Sequence, residues 1–339
     1  MHKNFKMFLF LHFLYLIVGT VLLISEVIVI TPIKIFQKME FGGVGGVAEY
    51  KGLFYVTDFI NNKIYVVDLN GNLKKTISSV GIRNGELYKP TDIVVKNKKI
   101  FVLDSPNVKS NRIQVFDLDG KLVSVIITKK RVYGMGVDGN NNIYVGEPAT
   151  GKLVSVYSWK GKYLHGFGDL RKFSDFYGKK FKGMDNYYGA DINAVNIWVE
   201  EDGNIYVSFV GAPFYRKYNK LHELEYERYM KSTQSDLIMR EMKKIGKAPM
   251  RRGIWNVAIP FITTGITVDQ RNKRIYITFQ WKRGWIYTED TKKTVKVFEY
   301  ENKHLLFQKI SIINSTGDLI LPRHSSRSFN QVYIYNNKE

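Results

Sequence analysis

With 339 residues, 45% of them hydrophobic and 14% aromatic, the chain has the material for a substantial core and falls outside the disordered class. Its formal charge of +20, from 51 Lys and Arg against 31 Asp and Glu, suits either an anionic partner or a broadly solvated basic surface. The absence of cysteine excludes disulfides, thiolate metal sites, cysteine nucleophiles and lipidation of an N-terminal cysteine.

Lys3 and Lys6 precede an apolar run at 7–24, interrupted only by the neutral His12, Gly19 and Thr20. As a helix this run would span about 27 Å, close to the hydrocarbon thickness of a bilayer. Both lysines lie on its N-terminal side, so the rest of the chain is expected to be extracytoplasmic, periplasmic or at the cell surface. The run is long for a signal-peptide core and no A-x-A site follows it. Residues 1–30 are therefore assigned as a transmembrane or signal helix outside the fold, either an uncleaved anchor through 7–24 or a cleaved signal.

From residue 31 the pattern is β. IKIF at 33–36 is a short strand with no hairpin partner nearby, and FGGVGG at 41–46 reads as a loop. Four strands follow at 47–50, 53–57, 64–67 and 73–77, punctuated by Lys51-Gly52, Asn61-Asn62 and the turn at 68–71. Residues 90–127 show the same succession most plainly, with strands at 93–95, 100–103, 113–116 and 122–127 and turns at Asn97-Lys98 and Asp119-Gly120. A third unit runs from Gly134 to Phe167. A fourth begins with NIWVEEDGNIYVSF at Asn196 and continues at 214–218. A fifth begins with GITVDQRNKRIYITF at Gly265 and resumes at 294–300 and 304–307, and a sixth offers only 310–313, 319–321 and 332–335.

The centres of the second strands, Tyr55, Phe101, Tyr144, Tyr206, Tyr276 and Ile320, are separated by 46, 43, 62, 70 and 44 residues. Three of these intervals match a propeller blade and the two long ones locate insertions. Since the sixth unit lacks an outer strand and 33–36 is a strand without a sheet, pairing the two predicts an all-β, six-bladed β-propeller over 31–339, closed by its N-terminal strand. The insertions fall at about 168–190 and 220–262. In the second, Leu221, Leu224, Tyr226, Tyr229, Met230, Leu237, Ile238, Met242 and Ile245 have the spacing of one or two amphipathic helices after blade 4, broken near 232–235 and stopped by Gly246.

Pro90-Thr91-Asp92-Ile93, IFVLD ending at Asp104, NRIQVFD at 111–117 and DGKLV at 119–123 together resemble an NHL repeat. The first unit is similar, with VTD ending at Asp58 and NNKIYVVDLNGNL at 61–73. The third keeps VDGNNNIYV at 137–145, the fourth EEDGNIYV and the fifth VDQRNKRIYI. The resemblance implies a six-bladed NHL-like ring over about 47–335. It says little about activity, because such rings serve as binding scaffolds, some of them for RNA, and also as amidating lyases and lactonase-like hydrolases with metal sites in the central channel.

Catalytic signatures are sparse. FGGVGG does not fit G-x-G-x-x-G, and no G-x-S-x-G occurs. Zinc bound in the manner of the lyases would need histidines from several blades. Of the four beyond the leader, His222 falls in the predicted helical insertion, His165 and His304 in or beside outer strands, and only His324 just after a second strand. Asp58, Asp104 and Glu147 follow the second strands of three neighbouring units and could offer oxygen ligands to Ca or Zn; alternatively each organises the turn into its third strand. Phe209 and Phe279 occupy the corresponding places in the fourth and fifth units, which leaves the acidic ring incomplete.

What remains is basic and aromatic surface: Lys179, Lys180 and Lys182 in the first insertion, Lys243, Lys244, Arg251 and Arg252 in the second, and Trp281, Arg283 and Trp285 in the fifth unit. Basic residues interleaved with aromatics suit single-stranded nucleic acid, but an exported chain rarely meets it. The expectation is a non-catalytic binding scaffold of the cell envelope without a cofactor, engaging a protein, an anionic polymer or lipid headgroups. The alternative is a metal-dependent hydrolase or lyase acting at the central channel through Asp58, Asp104 and Glu147.

Overall fold

Asp, Asn and Gly recur between short β-branched and aromatic runs, and this turn chemistry limits how far each strand extends. The computed structural model describes residues 27–30, 34–36, 41–106, 111–128, 132–185, 189–245, 262–281, 283–290, 295–300, 306–307, 310–313, 316, 318–325 and 328–335. Within them the strands form six sheets of at least four strands, one per blade. Blade 1 is Val44–Tyr50, Leu53–Asp58, Lys63–Asp68 and Leu73–Ile77. Blade 2 is Asp92–Lys96, Lys99–Asp104, Arg112–Asp117 and Leu122–Ile127. Blade 3 is Met135–Val137, Ile143–Gly146, Val154–Tyr157 and Tyr163–Phe167, and blade 4 is Val195–Val199, Ile205–Phe209, Phe214–Tyr218 and Leu224–Tyr229. Thr263–Asp269, Arg274–Trp281, Arg283–Glu289 and Val295–Tyr300 make blade 5. In blade 6, Leu306–Phe307 and Ser311–Ile312 both pair with Leu319–Ser325, which pairs in turn with Ser328–Tyr335.

The core lies between neighbouring sheets. Tyr55, Phe101, Tyr144, Tyr206, Tyr276 and Ile320 all sit on second strands and are all buried. The ring closes as the lone strand requires. Lys34 and Ile35 pair antiparallel with Ile334 and Tyr333, and the Phe36 N–H donates to the Val332 carbonyl at 3.1 Å. Phe36 is fully buried, edge-on to Phe54 at 5.2 Å, so the N-terminal strand joins blade 6 to the core of blade 1.

Four expectations are corrected. Residues 27–30, assigned to the leader, form the strand Val27–Ile30 and extend blade 5 by pairing parallel with Val297 to Tyr300. FGGVGG is only partly a loop, because the innermost strand of blade 1 starts at Val44. A Cβ on Gly45 would lie 2.6 Å from the Pro90 carbonyl oxygen, so these glycines mark close approach of blade 2. Residues 224–229, read as helical, are the outer strand of blade 4; the helix runs over Thr233–Ile245, with the Ser232 hydroxyl accepting from the Ser235 N–H at 3.0 Å as its N-cap. In blade 5 the third strand is Arg283–Glu289, so 295–300 is the outer strand and 306–307 belongs to blade 6.

Antiparallel connection in sequence puts the turns after the first and third strands at one end of the ring. The hairpins between second and third strands, and the links between blades, lie at the other. The insertion at 168–190 links blades 3 and 4 and contains helix α1 (Phe173–Tyr177), a 3-10 segment at Lys179–Met184 and the start of helix α2 (Gly189–Ile192). Helix α3 (Thr233–Ile245) links blades 4 and 5 and packs against α1. Phe173, Phe176, Tyr177, Ile238 and Met242 join the core of blade 4, so both insertions cap one end of the ring. No helix among the described residues is long and apolar enough to cross a membrane. The run at 7–24 lies outside the described residues.

Candidate functional site

The three second-strand carboxylates are fully buried and bound within or beside their own blades. Asp58 accepts five hydrogen bonds: from the N–H groups of Gly42, Gly43, Ile60 and Asn61 and from the Asn61 amide, at 2.7–3.0 Å. Asp104 accepts from Arg112 Nε at 2.7 Å, the Tyr88 N–H at 2.7 Å and Gln114 Nε2 at 3.3 Å. Burial pushes the Asp104 carboxyl up, and Arg112 and the Tyr88 N–H pull it back. Glu147 accepts from the Tyr157 hydroxyl at 2.7 Å. These are turn and inter-strand anchors. No group of three or more His, Asp or Glu among the described residues is arranged to hold a metal ion.

Among the described residues, the basic candidates named from the sequence fall on one end of the ring. Lys179 and Lys182 are exposed on the 3-10 segment, Lys180 lies between them, and Lys243 and Lys244 occupy the end of α3. Trp281 and Arg283 are register partners at the hairpin between the second and third strands of blade 5, at the same end. Trp285, expected to meet a partner, is instead 8% exposed and packed in the core between blades 4 and 5, because it begins the buried half of the strand Arg283–Glu289. Arg251 and Arg252 lie outside the described residues. The first insertion is held rigidly: Glu227 takes Arg216 Nε at 2.6 Å and Arg171 Nε at 3.1 Å, and Asn193 brackets the Arg171 backbone with two hydrogen bonds of 2.8 Å.

At the opposite end, the innermost strands open into a cavity of about 260 Å³ at the mouth of the channel. Its lining mixes apolar residues of the innermost strands with polar groups from Glu49, Lys96, Glu201 and Gln270. Lys96 donates to the Val137 carbonyl at 3.2 Å; burial lowers its pKa, opposed by Glu201 and Asp138. The buried Trp198 indole N–H has no hydrogen-bond partner among the described residues.

A second constellation escaped the sequence reading. His222 is not in the helical insertion but in the turn between the third and outer strands of blade 4, and its Nδ1 lies 2.7 Å from Nε2 of His165 on the outer strand of blade 3. The His222 ring stacks on Phe167 at 4.4 Å with an interplanar angle of 8°. Its Nε2 is 3.3 Å from the Tyr144 hydroxyl, which donates to Asp138 at 3.2 Å. Burial and the neighbouring His165 lower the His222 pKa, with Asp138 opposing.

A family profile described as "6-bladed beta-propeller" matches residues 30–130, which take in the closing strand and the first two blades. No curated protein matches the chain. Among solved structures, BF0058 of Bacteroides fragilis NCTC 9343, named as a candidate exported protein, superposes with a TM-score of 0.57 at 9% identity, over 92% of this chain and 94% of its own. A structural genomics protein of unknown function from Bacteroides thetaiotaomicron VPI-5482 gives 0.54 at 12% identity, over 88% and 71%. Streptogramin B lyase gives 0.52 at 12%, over 89% and 97%. At these identities the likeness is one of fold, and together with the six sheets it makes the chain a six-bladed β-propeller.

Proposed function

We propose that this chain is a non-catalytic binding propeller of the cell envelope, its NHL-like ring serving as scaffold and its capped end engaging an anionic partner, either a protein with an acidic face or an anionic envelope polymer. One observation carries the reading. Two insertions, anchored by Glu227, Asn193 and the blade 4 core, carry Lys179, Lys180, Lys182, Lys243 and Lys244 on the same end of the ring, in a chain whose formal charge is +20. Clustered charge on a rigid mount steers and orients an oppositely charged partner. The envelope assignment draws support from Lys3 and Lys6 ahead of the apolar run at 7–24, and from the name of the Bacteroides fragilis neighbour. An enzyme reading through Asp58, Asp104 and Glu147 with Ca or Zn gains less support, because each carboxylate already serves nearby donors.

The test is capture from envelope extract by the detergent-solubilised full chain, against a variant carrying Lys179→Glu, Lys182→Glu, Lys243→Glu and Lys244→Glu. Capture is expected to be lost in the variant. In the native chain it should fade as salt approaches 1 M, where the screening length is about 3 Å. Undiminished capture by the variant overturns the proposal.

A further inference from the structure

The turn between third and outer strands is built alike in blades 1 to 4. Gly71, Gly120, Gly161 and His222 each donate their N–H to the carbonyl three residues earlier, on Asp68, Asp117, Ser158 and Asn219, at 2.9–3.1 Å. The three glycines take φ of +74°, +87° and +94°, and His222 takes +66°. Blade 4 therefore places a side chain where its siblings have none, in a conformation that disfavours one. Such a departure from the sibling turns raises the question of what the side chain does there.

What the side chain does is visible in its surroundings. Because the Tyr144 O–H donates to Asp138, its oxygen is left to accept from Nε2–H of His222. That fixes the tautomer and leaves the lone pair on Nδ1 directed at His165. An imidazole clamped through its remote nitrogen by an oxygen acceptor backed by a carboxylate is how ligating histidines are oriented. The second imidazole comes from the adjacent blade, where His165 is exposed on an edge strand and its ring stacks on that of His222 at 4.7 Å. The two nitrogens stand 2.7 Å apart. An ion with bonds of about 2.0–2.1 Å to each would need them roughly 3.3 Å apart, a change the exposed ring can supply.

We propose that His165 Nε2 and His222 Nδ1 form a two-histidine site for a borderline divalent cation of the zinc, copper and nickel group, its remaining positions open to solvent or to a donor from a partner. Imidazole nitrogen suits these metals. The site bridges blades 3 and 4 and uses none of the lysines named above, so it does not rest on the binding function proposed there.

The experiment titrates the full chain in detergent with Zn²⁺, and with Cu²⁺ followed by electron paramagnetic resonance. It is repeated for His222→Gly, which installs the sibling residue, for the exposed His165→Gln, and for Tyr144→Phe. The native chain should take one ion more than either histidine variant, with a copper spectrum showing two coordinated nitrogens. Tyr144→Phe should keep the stoichiometry and weaken binding about tenfold. Histidines elsewhere contribute equally to every sample, so equal stoichiometry in native, His222→Gly and His165→Gln chains overturns the proposal. So does loss confined to one histidine variant.

Discussion

Blade 2 and blade 4 secure the neighbourhood of their second strands with opposite chemistry. In blade 2 the acid Asp104 ends the strand, is fully buried and pairs with Arg112 at 2.7 Å; Arg112 also donates to the carbonyls of Arg83 and Glu86 and so ties the link from blade 1 into the sheet. In blade 4 Phe209 stands in the acid's place. Arg216 lies over its ring at 5.1 Å and turns outward to Glu227, which also holds Arg171 of the inserted segment. The same need, a charge to organise a blade edge, is met inward in the regular copy and outward in the divergent one. In blade 4 the outward pair also anchors the inserted segment through Arg171.

The largest effect expected from this contrast is at blade 2. Asp104→Ala strands Arg112 as a buried, unpaired charge and should lower unfolding free energy by about 3–5 kcal/mol in chemical denaturation. A loss below about 1 kcal/mol would mean that the guanidinium reaches water and that the pair is no anchor. Glu227→Ala, which leaves the buried Arg216 with the Asp169 carbonyl and the Tyr218 hydroxyl as partners, should cost about 2 kcal/mol and speed proteolytic cleavage within 168–190. Equal losses at the two sites, with unchanged cleavage, would erase the distinction between inward and outward pairing. His222→Gly is the smallest: relief of the positive φ opposes the lost ring stacking, and stability should change by no more than about 0.5 kcal/mol. A loss of several kcal/mol would make His222 a packing staple.

Much of this architecture was legible in local pattern. Strand runs, turn residues and the spacing of the second-strand centres are properties of short segments, and Tyr55, Phe101, Tyr144, Tyr206, Tyr276 and Ile320 all fell where the period placed them. The lone strand and the incomplete last blade implied each other, because a ring cannot leave its edges unpaired. Reading failed where one local pattern had two meanings. The run at 224–229 has apolar residues at spacings that fit a helix as well as a strand, and the pairing of Phe214 with Tyr229 decides for the strand. Arg283–Glu289 was hidden by its basic and aromatic start.

The sequence by itself therefore determined the blade count, the closing strand, the sites of the insertions and the turn chemistry, since each depends on residues adjacent in the chain or on a repeated period. Only the tertiary structure decided the rest. Gly45 is a glycine because the backbone of blade 2 passes against it, Trp285 is core because blades 4 and 5 close over it, and the residues of the capped end share one face because the connections alternate between ends. His165 and His222, 57 positions apart, meet because the wedge angle between blades 3 and 4 brings an outer strand against a neighbouring turn. The signal was present, a histidine where three sibling turns have glycine, but its meaning depends on a contact that no local segment contains.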